Sequence, residues 1–465
     1  MKIIILGAGQ VGTSMAEILA GEANDVSLVD LDGERLAGLQ DRLDIRTVRG
    51  SGAYPSVLQQ AGADDADLLL AVTNRDEINM VACHVAHTLF DTPKKMARIR
   101  SVEYLNHRDQ LFSKDVEGRP LGMAIDVIIS PEEILTRQIL RLIEHPGALQ
   151  VVDFAEGRVQ LVGIKTSSGG PLVGHELSTL RHHIPGIDAR VAAIYREGQP
   201  IIPEGNTVIE PDDDVFFIAA AEHIEAIMDE FRGPDRPGRR IILAGAGHIG
   251  LRLASTLESS DFHVKLIERN PARSQLVAEE LNHTVVLCGD SSDEELMLQE
   301  SIDSTEVFCA LTNDDEDNIM SAMLAKRLGA RRTMALINRS VYVDLLESSM
   351  LDIAISPSMA TVGSLLTQIR RGDIVAVHSL RRGAAEAIEA VAHGDPKTSR
   401  VVGKQLKEIN LPPDTTVGAI IRGSSVIIAH GNTVIEAEDH VILFVIDKRR
   451  ITQIEKLFSV DVSFF

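Results

Sequence analysis

Two stretches of this chain follow one pattern, MKIIILGAGQVG at its start and RRIILAGAGHIG from Arg239 to Gly250. In each, an apolar run of strand length ends in Gly-x-Gly-x-x-Gly, and a helical pattern follows. Gly7, Gly9 and Gly12 reappear as Gly245, Gly247 and Gly250, each displaced by 238 residues. Few folds accept such a turn. The first glycine permits a tight bend, the second lets a pyrophosphate reach the backbone, and the third lets the helix pack close on the strand. Other landmarks recur in the same order. SLVD ending at Asp30 matches KLIE ending at Glu268, and TNRDEIN from Thr73 matches TNDDEDN from Thr312. ISP at Ile129–Pro131 returns at Ile355–Pro357, and LVGHEL (Leu172–Leu177) corresponds to VVGKQL (Val401–Leu406). The hexapeptide GNTVIE occurs twice, at Gly205–Glu210 and Gly431–Glu436. The chain is therefore two tandem copies of one unit of roughly 225–240 residues.

Each copy has two parts. The first, 1–130 and 239–357, alternates short β-branched runs (KIIIL, VSLVD, IRTV, DLLLAV and MARIR in the first copy) with amphipathic stretches such as Glu34–Leu43 and Val81–Leu89. That alternation predicts an α/β, Rossmann-like, doubly wound parallel sheet in each copy. The second part, 147–231 and 373–460, predicts a small α+β domain, with strands ARVAAIYR, TVIE and VFFIAA in one copy and TTVGAIIR, TVIE and VILFVI in the other. GNTVIE is read as a turn plus the strand it launches, and PDDD or EAED as the next hairpin turn. Junction helices are expected at 131–146 and 358–372. In PEEILTRQILRLIEHP, Pro131 suits a helix start and Leu135, Ile139, Leu142 and Ile143 share one face. This helix either closes its own domain or swaps onto a partner. RGPDRPGR from Arg232 reads as the linker between copies, 232–238.

Bulk properties narrow the partners. At 465 residues the chain needs three or four domains, and its 44% hydrophobic content is that of a globular protein. A net charge of −22 and only 3% aromatic residues, with no Trp, argue against nucleic acid and anionic lipid surfaces. Cys83, Cys288 and Cys309 form no CxxC pair and suit reduced thiols in a cytoplasmic protein. No stretch reaches the roughly 18 apolar residues of a membrane span. The apolar start is too short for a secretion signal and reads as a strand.

The chemistry gathers at the two glycine turns. Gly7, Ala8, Gly9, Gln10, Val11 and Gly12 form one phosphate-binding turn, and Gly245, Ala246, Gly247, His248, Ile249 and Gly250 the other. Asp30 and Glu268 end the second strand of each copy, where a carboxylate accepts bonds from ribose hydroxyls. Acids there repel a 2′-phosphate, which favours NAD or an adenine nucleotide over NADP. Thr73 and Asn74, repeated as Thr312 and Asn313, are placed at the end of the fourth strand, beside the crevice. Asn74 serves equally as a helix cap before Asp76. Arg98 and Arg100 alternate along the next strand and share a face; Leu336 replaces Arg98 in the second copy. His182–His183 read as a surface loop and Asp212–Asp214 as a solvated hairpin turn rather than metal sites. No nucleophile elbow, P-loop or Cys/His constellation is present.

These motifs, with stretches such as NIMSAMLAKRLGA, SLRRGAAEAIEAVAHGDPKTSRVVG and ALQVVDFAEG, make the whole chain similar to the TrkA family. Its members are cytoplasmic, NAD-binding regulatory subunits of bacterial Trk potassium-uptake systems, built as tandem RCK (KTN) and TrkA-C domains. The resemblance implies a non-enzymatic, peripheral protein without a lipid anchor of its own. It would be held on the cytoplasmic face of the inner membrane by a potassium-translocating subunit of the TrkH/TrkG type. It also implies a homotetramer forming an RCK ring that responds to NAD(H), ATP or ADP. Carried over by position, the first site comprises Gly7 to Val11, Asp30, Thr73, Asn74 and Arg98, and the second Gly245 to Ile249, Glu268, Thr312 and Asn313. Leu336 departs from the Arg98 pattern, so the two sites need not hold the same nucleotide. The alternatives are an NAD-dependent dehydrogenase, for which no acid/base set is evident, and a nucleotide-responsive scaffold for another membrane partner.

Overall fold

The structure is a computed structural model describing residues 1–22, 24–113, 120–201, 203–232, 238–345, 351–369, 374–380, 385–446 and 450–459. The expected linker falls almost wholly outside the described residues. Strands β1 (Lys2–Leu6), β2 (Asp25–Asp30), β3 (Arg46–Arg49), β4 (Leu68–Ala71), β5 (Lys94–Arg98) and β6 (Val127–Ile129) form a parallel sheet. Its order is β3-β2-β1-β4-β5-β6. Strands β7 (Ala148–Phe154), β8 (Val159–Lys165), β9 (Ala189–Arg196), β10 (Gln199–Ile201) and β11 (Asp214–Ala220) form an antiparallel sheet ordered β10-β9-β11-β8-β7.

The second copy repeats the first parallel order. Strands β12 (Arg240–Ala244), β13 (His263–Glu268), β14 (Val285–Cys288), β15 (Val307–Ala310), β16 (Arg332–Leu336) and β17 (Ile353–Ile355) run β14-β13-β12-β15-β16-β17. Strands β18 (Ile374–Leu380), β19 (Ala385–Ala392), β20 (Thr415–Arg422), β21 (Ser425–Ile428) and β22 (Asp439–Val445) form an antiparallel sheet ordered β18-β19-β22-β20-β21.

Strand β1 is apolar throughout after Lys2 because both of its faces are covered. Ile3, Ile4, Ile5 and Leu6 are all buried, as are Ile241, Ile242, Leu243 and Ala244 of β12. Helices on both faces of a parallel sheet require this. Met15, Ala16 and Leu19 of the Gln10–Gly21 helix supply one such cover. Burying a side chain the size of Leu19 contributes about 1.5–3 kcal/mol. The two antiparallel sheets share a core that includes Phe154, Leu161, Phe216 and Ile218 with Ala387, Ile421, Ile442 and Phe444.

The chain divides into two compact units, and neither is one continuous copy. Met1–Ile134 belongs with Pro357–Gln368, and Leu135–Ser356 with Ile369–Phe465. The junction helices span Pro131–Glu144 and Pro357–Ile369. The second lies almost wholly in the first copy's unit, where Lys94 Nζ donates to the Gln368 carbonyl. The first passes to the other unit from Leu135 onward. Within this chain the junction helices are thus exchanged between the units rather than each closing on its own domain. Among the described residues no helix is long and apolar enough to cross a membrane.

The repeated hexapeptide corrects one expectation. TVIE forms no ladder strand: Val208 and Val434 make only isolated bridges, to Glu176 and Gln405. Its polar groups serve an arginine instead. Arg196, at the end of β9, donates Nε and Nη2 to Asp213 at 2.8 Å each, Nη2 also to the Val208 carbonyl at 2.9 Å, and Nη1 to Glu210. Arg422 repeats this with Asp439, Val434 and Glu436. Asp213 and Asp439 are fully buried, and each also accepts the hexapeptide's last amide, at 2.9 and 2.7 Å. The acidic triplet is therefore no solvated turn at Asp213, whose carboxylate lies in the interior paired with a guanidinium. His182–His183 are likewise not in a loop. They end the short Leu180–His183 helix, and His183 Nδ1 sits 2.9 Å from Glu230.

Removing one partner of such a pair strands a buried charge. Arg422→Met is expected to cost about 3 kcal/mol of unfolding free energy, read from denaturant unfolding. A loss below about 0.5 kcal/mol, ordinary for a surface site, would refute the clamp.

Candidate functional site

Sheet order reverses between β1 and β4 and again between β12 and β15, so a crevice opens beyond the carboxyl ends of each pair. Gly7 and Gly245 bend the chain there with φ of +104° each, and their amides donate to the carbonyls of Val29 and Ile267 at 2.8 Å. Side chains rarely adopt that conformation. Gly12 and Gly250 are demanded by contact: a Cβ would stand 1.8 Å from the Gly7 carbonyl oxygen and 2.0 Å from that of Gly245.

The middle glycines have no such reason. Gly9 and Gly247 hold ordinary extended backbone, φ −73° and −69°, and an added Cβ would meet nothing within 4 Å. Each precedes a helix, Gln10–Gly21 or His248–Leu257, that carries no side-chain cap. The first-turn N–H groups of both helices are left for an external acceptor, and the macrodipole favours an anion.

A carboxylate closes one side of each cleft. The Ala8 amide donates to Asp30 Oδ2 at 2.6 Å and the Asp32 amide to Oδ1 at 2.9 Å. Glu268 takes the same two bonds, from Ala246 at 2.9 Å and Asn270 at 2.8 Å. Each carboxylate is thereby aimed, with lone pairs left for hydroxyl donors. Arg35 and Arg273 reach the Ala8 and Ala246 carbonyls at 3.4 and 3.1 Å from the following helix.

On the opposite side, β4 stops at Ala71, so Thr73 and Asn74 lie in the turn beyond the strand rather than at its end. Asn79 fixes that turn. Its Oδ1 accepts from the Thr73 amide at 3.0 Å and hydroxyl at 2.7 Å, while its Nδ2 donates to the Thr73 and Arg98 carbonyls at 3.2 and 2.9 Å. Asn318 does the same for Thr312 and Leu336. Asn74 and Asn313 are exposed, and the cap position before Asp76 is Arg75, so Asn74 caps nothing. Asp76 and Asp315 draw the chain off the fifth strand by accepting the amides of Arg100 and Ser101, and of Asn338 and Arg339. Arg98 and Arg100 consequently do not share a strand face. Strand β5 ends at Arg98, and Arg100 pairs with Glu132 at 2.8 Å.

Arg98 carries the clearest asymmetry. Its Nε is shielded from solvent without a hydrogen-bond partner, and burial, then Arg100, pull the guanidinium below the ordinary arginine value. Leu336 occupies the equivalent place, fully apolar and buried. Asn79 and Asn318 escaped the sequence reading although they end the repeated TNxDExN segment, as did Arg35 and Arg273, which recur at the glycine spacing. No cluster of three metal-ligating side chains exists among the described residues.

The TrkA-N domain model matches residues 3–131 and 241–357, and the TrkA-C domain model matches 161–232 and 395–459. The Trk system potassium uptake protein TrkA of Halomonas elongata is 58% identical over 465 residues, all of both chains. Among solved structures, the GsuK RCK domain superposes with a TM-score of 0.60 at 18% identity, over 98% of this chain and 94% of that one. The GsuK channel bound to NAD gives 0.59 at 18% identity, over 97% of this chain and 77% of that one. At such identities the structural likeness concerns the fold.

The glycine argument is directly testable. Gly12→Ala is expected to lower unfolding free energy by about 3 kcal/mol, the upper end of overpacking, while Gly9→Ala shifts it by less than about 0.5 kcal/mol. Equal losses in thermal unfolding would contradict the distinction.

Proposed function

Because the chain belongs to the TrkA family, we propose that it is the nucleotide-sensing regulatory subunit of a bacterial potassium-uptake system. It binds adenine nucleotides in two clefts and sets the activity of a potassium-translocating membrane subunit of the TrkH/TrkG type. The observation that carries this reading is the pair Gly9 and Gly247. Nothing in the protein's own packing asks for glycine there, and each leaves bare backbone facing open space beside an oriented carboxylate. A pyrophosphate needs that approach, and a ribose diol needs that carboxylate.

In the first cleft Gly7 to Val11 cradle the phosphates, Asp30 takes the ribose hydroxyls, and Thr73 and Asn74 line the far side. Arg98, at the end of β5, brings the positive charge for a terminal phosphate. In the second, Gly245 to Ile249, Glu268, Thr312 and Asn313 hold the ligand, and Leu336 supplies no charge. The first cleft therefore favours ATP or ADP and the second NAD(H). Both carboxylates disfavour a 2′-phosphate.

The clefts bind rather than catalyse. A ligand that touches both sides of the crevice binds one spacing of those sides better and shifts the population toward it, with coupling of about 1–3 kcal/mol to the partner. Four copies forming a ring of RCK domains on the cytoplasmic face of the inner membrane would transmit that shift.

Gly9→Ala separates ligand binding from folding. Calorimetry is expected to show ATP affinity at the first cleft falling at least about tenfold, consistent with lost charge-assisted bonds, and nucleotide control of potassium uptake falling with it. Gly247→Ala protein should bind ATP more tightly than NAD, and Gly9→Ala protein the reverse. Unchanged affinity and unchanged control in Gly9→Ala and Asp30→Ala would overturn the assignment.

A further inference from the structure

The clefts also differ at the end away from the phosphates, at three positions that the function above leaves unused. Arg269 directly follows Glu268. Its Nη1 lies 3.8 Å from Asp290 Oδ2 and 3.6 Å from Asp317 Oδ2. The three residues come from separate places: Arg269 follows β13, Asp290 follows β14, and Asp317 sits in the first turn of the Asp315–Arg327 helix after β15. Strand β12 lies between β13 and β15 and ends in Gly245. A side chain that leaves β13 and reaches the helix after β15 must pass in front of that glycine turn. Asp290 is held in place by the amide and hydroxyl of Ser292 at 2.9 and 2.6 Å. Those bonds, and after them Arg269, keep its carboxyl below the usual carboxylate range.

The first copy has none of these charges. At the corresponding positions stand Leu31, Ser51 and Ile78. Leu31 is 65% exposed beside Asp30, a large apolar side chain presented to solvent next to the ribose-binding carboxylate. An apolar edge there stacks a planar base directly. In the second cleft the same space is spanned by a guanidinium tied to two carboxylates.

We propose that Arg269, held between Asp290 and Asp317, clasps the base end of the second cleft and determines which ligands enter it. The inference rests on the nucleotide reading of that cleft. A base gains its place only by detaching Arg269 from one anchor, so the clasp lowers affinity for the nucleoside half of any ligand while leaving phosphate binding unaffected. With Arg269 72% exposed, its pairs are weak and readily screened. Salt therefore loosens the clasp, and the second cleft admits a base more readily as ionic strength rises.

The test uses the full-length chain carrying Gly9→Ala together with Asp30→Ala, which remove the phosphate approach and the ribose carboxylate of the first cleft, so that the second cleft dominates the signal. Adenosine, which has a base and no charge, and inorganic pyrophosphate, which has charge and no base, are measured by competition against ADP. Asp317→Asn and Asp317→Ile are each expected to raise adenosine and ADP affinity about three- to fivefold, the scale of one exposed ion pair, and to change pyrophosphate affinity less than twofold. Adenosine affinity should rise with potassium chloride in the parent and stay flat in Asp317→Asn. Unchanged adenosine affinity, or a gain seen for pyrophosphate instead, overturns the clasp and leaves the nucleotide site standing. Absence of any ADP binding that Glu268→Ala removes overturns the reading of the cleft itself, and the clasp with it.

Discussion

Everything at the two clefts depends on how closely a helix can approach the strand before it. The carbonyl oxygen of Gly7 occupies the space where a side chain at residue 12 would begin, and Gly245 stands in the same relation to residue 250. That approach brings the unpaired amides of a helix start directly over the end of the central strand. Everything else near the crevice steadies this arrangement. Asp30 and Glu268 tie the glycine turn to the second strand, and Asn79 and Asn318 tie the fourth strand's turn to the end of the fifth. Two stiffened lips thus face a strip of uncovered backbone, and under the proposed function the ordering cost of binding would fall on the ligand.

Duplication gave the molecule two copies of this frame, and several of the differences lie around the clefts. The clamps of Arg196 and Arg422 are the same bond for bond, as are the asparagine locks. At Arg98 and Leu336, and at Leu31 and Arg269, the copies part. On the proposed function, one frame would carry two recognition surfaces within one polypeptide.

Much of this was legible in the residues. The glycine turns, the acids eighteen residues on and the tandem order follow from local rules: strand period, turn chemistry and a motif whose first and third glycines have a mechanical reason. Asp213 was misjudged because a run of acids looks hydrated, and the arginine that neutralises it arrives from another strand, seventeen residues earlier. TVIE looked like a strand for the opposite reason, since β-branched residues signal ladders while the demand of Arg196 for the Val208 carbonyl is invisible locally. Asn79 was visible as a repeated letter, but its four bonds run to a turn and a neighbouring strand. The allocation of the junction helices was beyond reach, because an amphipathic face specifies that it must be covered and not by which copy.

That allocation bears on synthesis. The unit holding Met1–Ile134 is finished only when Pro357–Gln368 has been made. At ribosomal speeds of about 5–20 residues per second, the intervening stretch takes about 10–50 s to appear. Throughout that interval the first unit lacks the later segment that completes it. A unit left incomplete for that long is exposed to misfolding, and a chain cut between its two copies would leave each unit short of a segment.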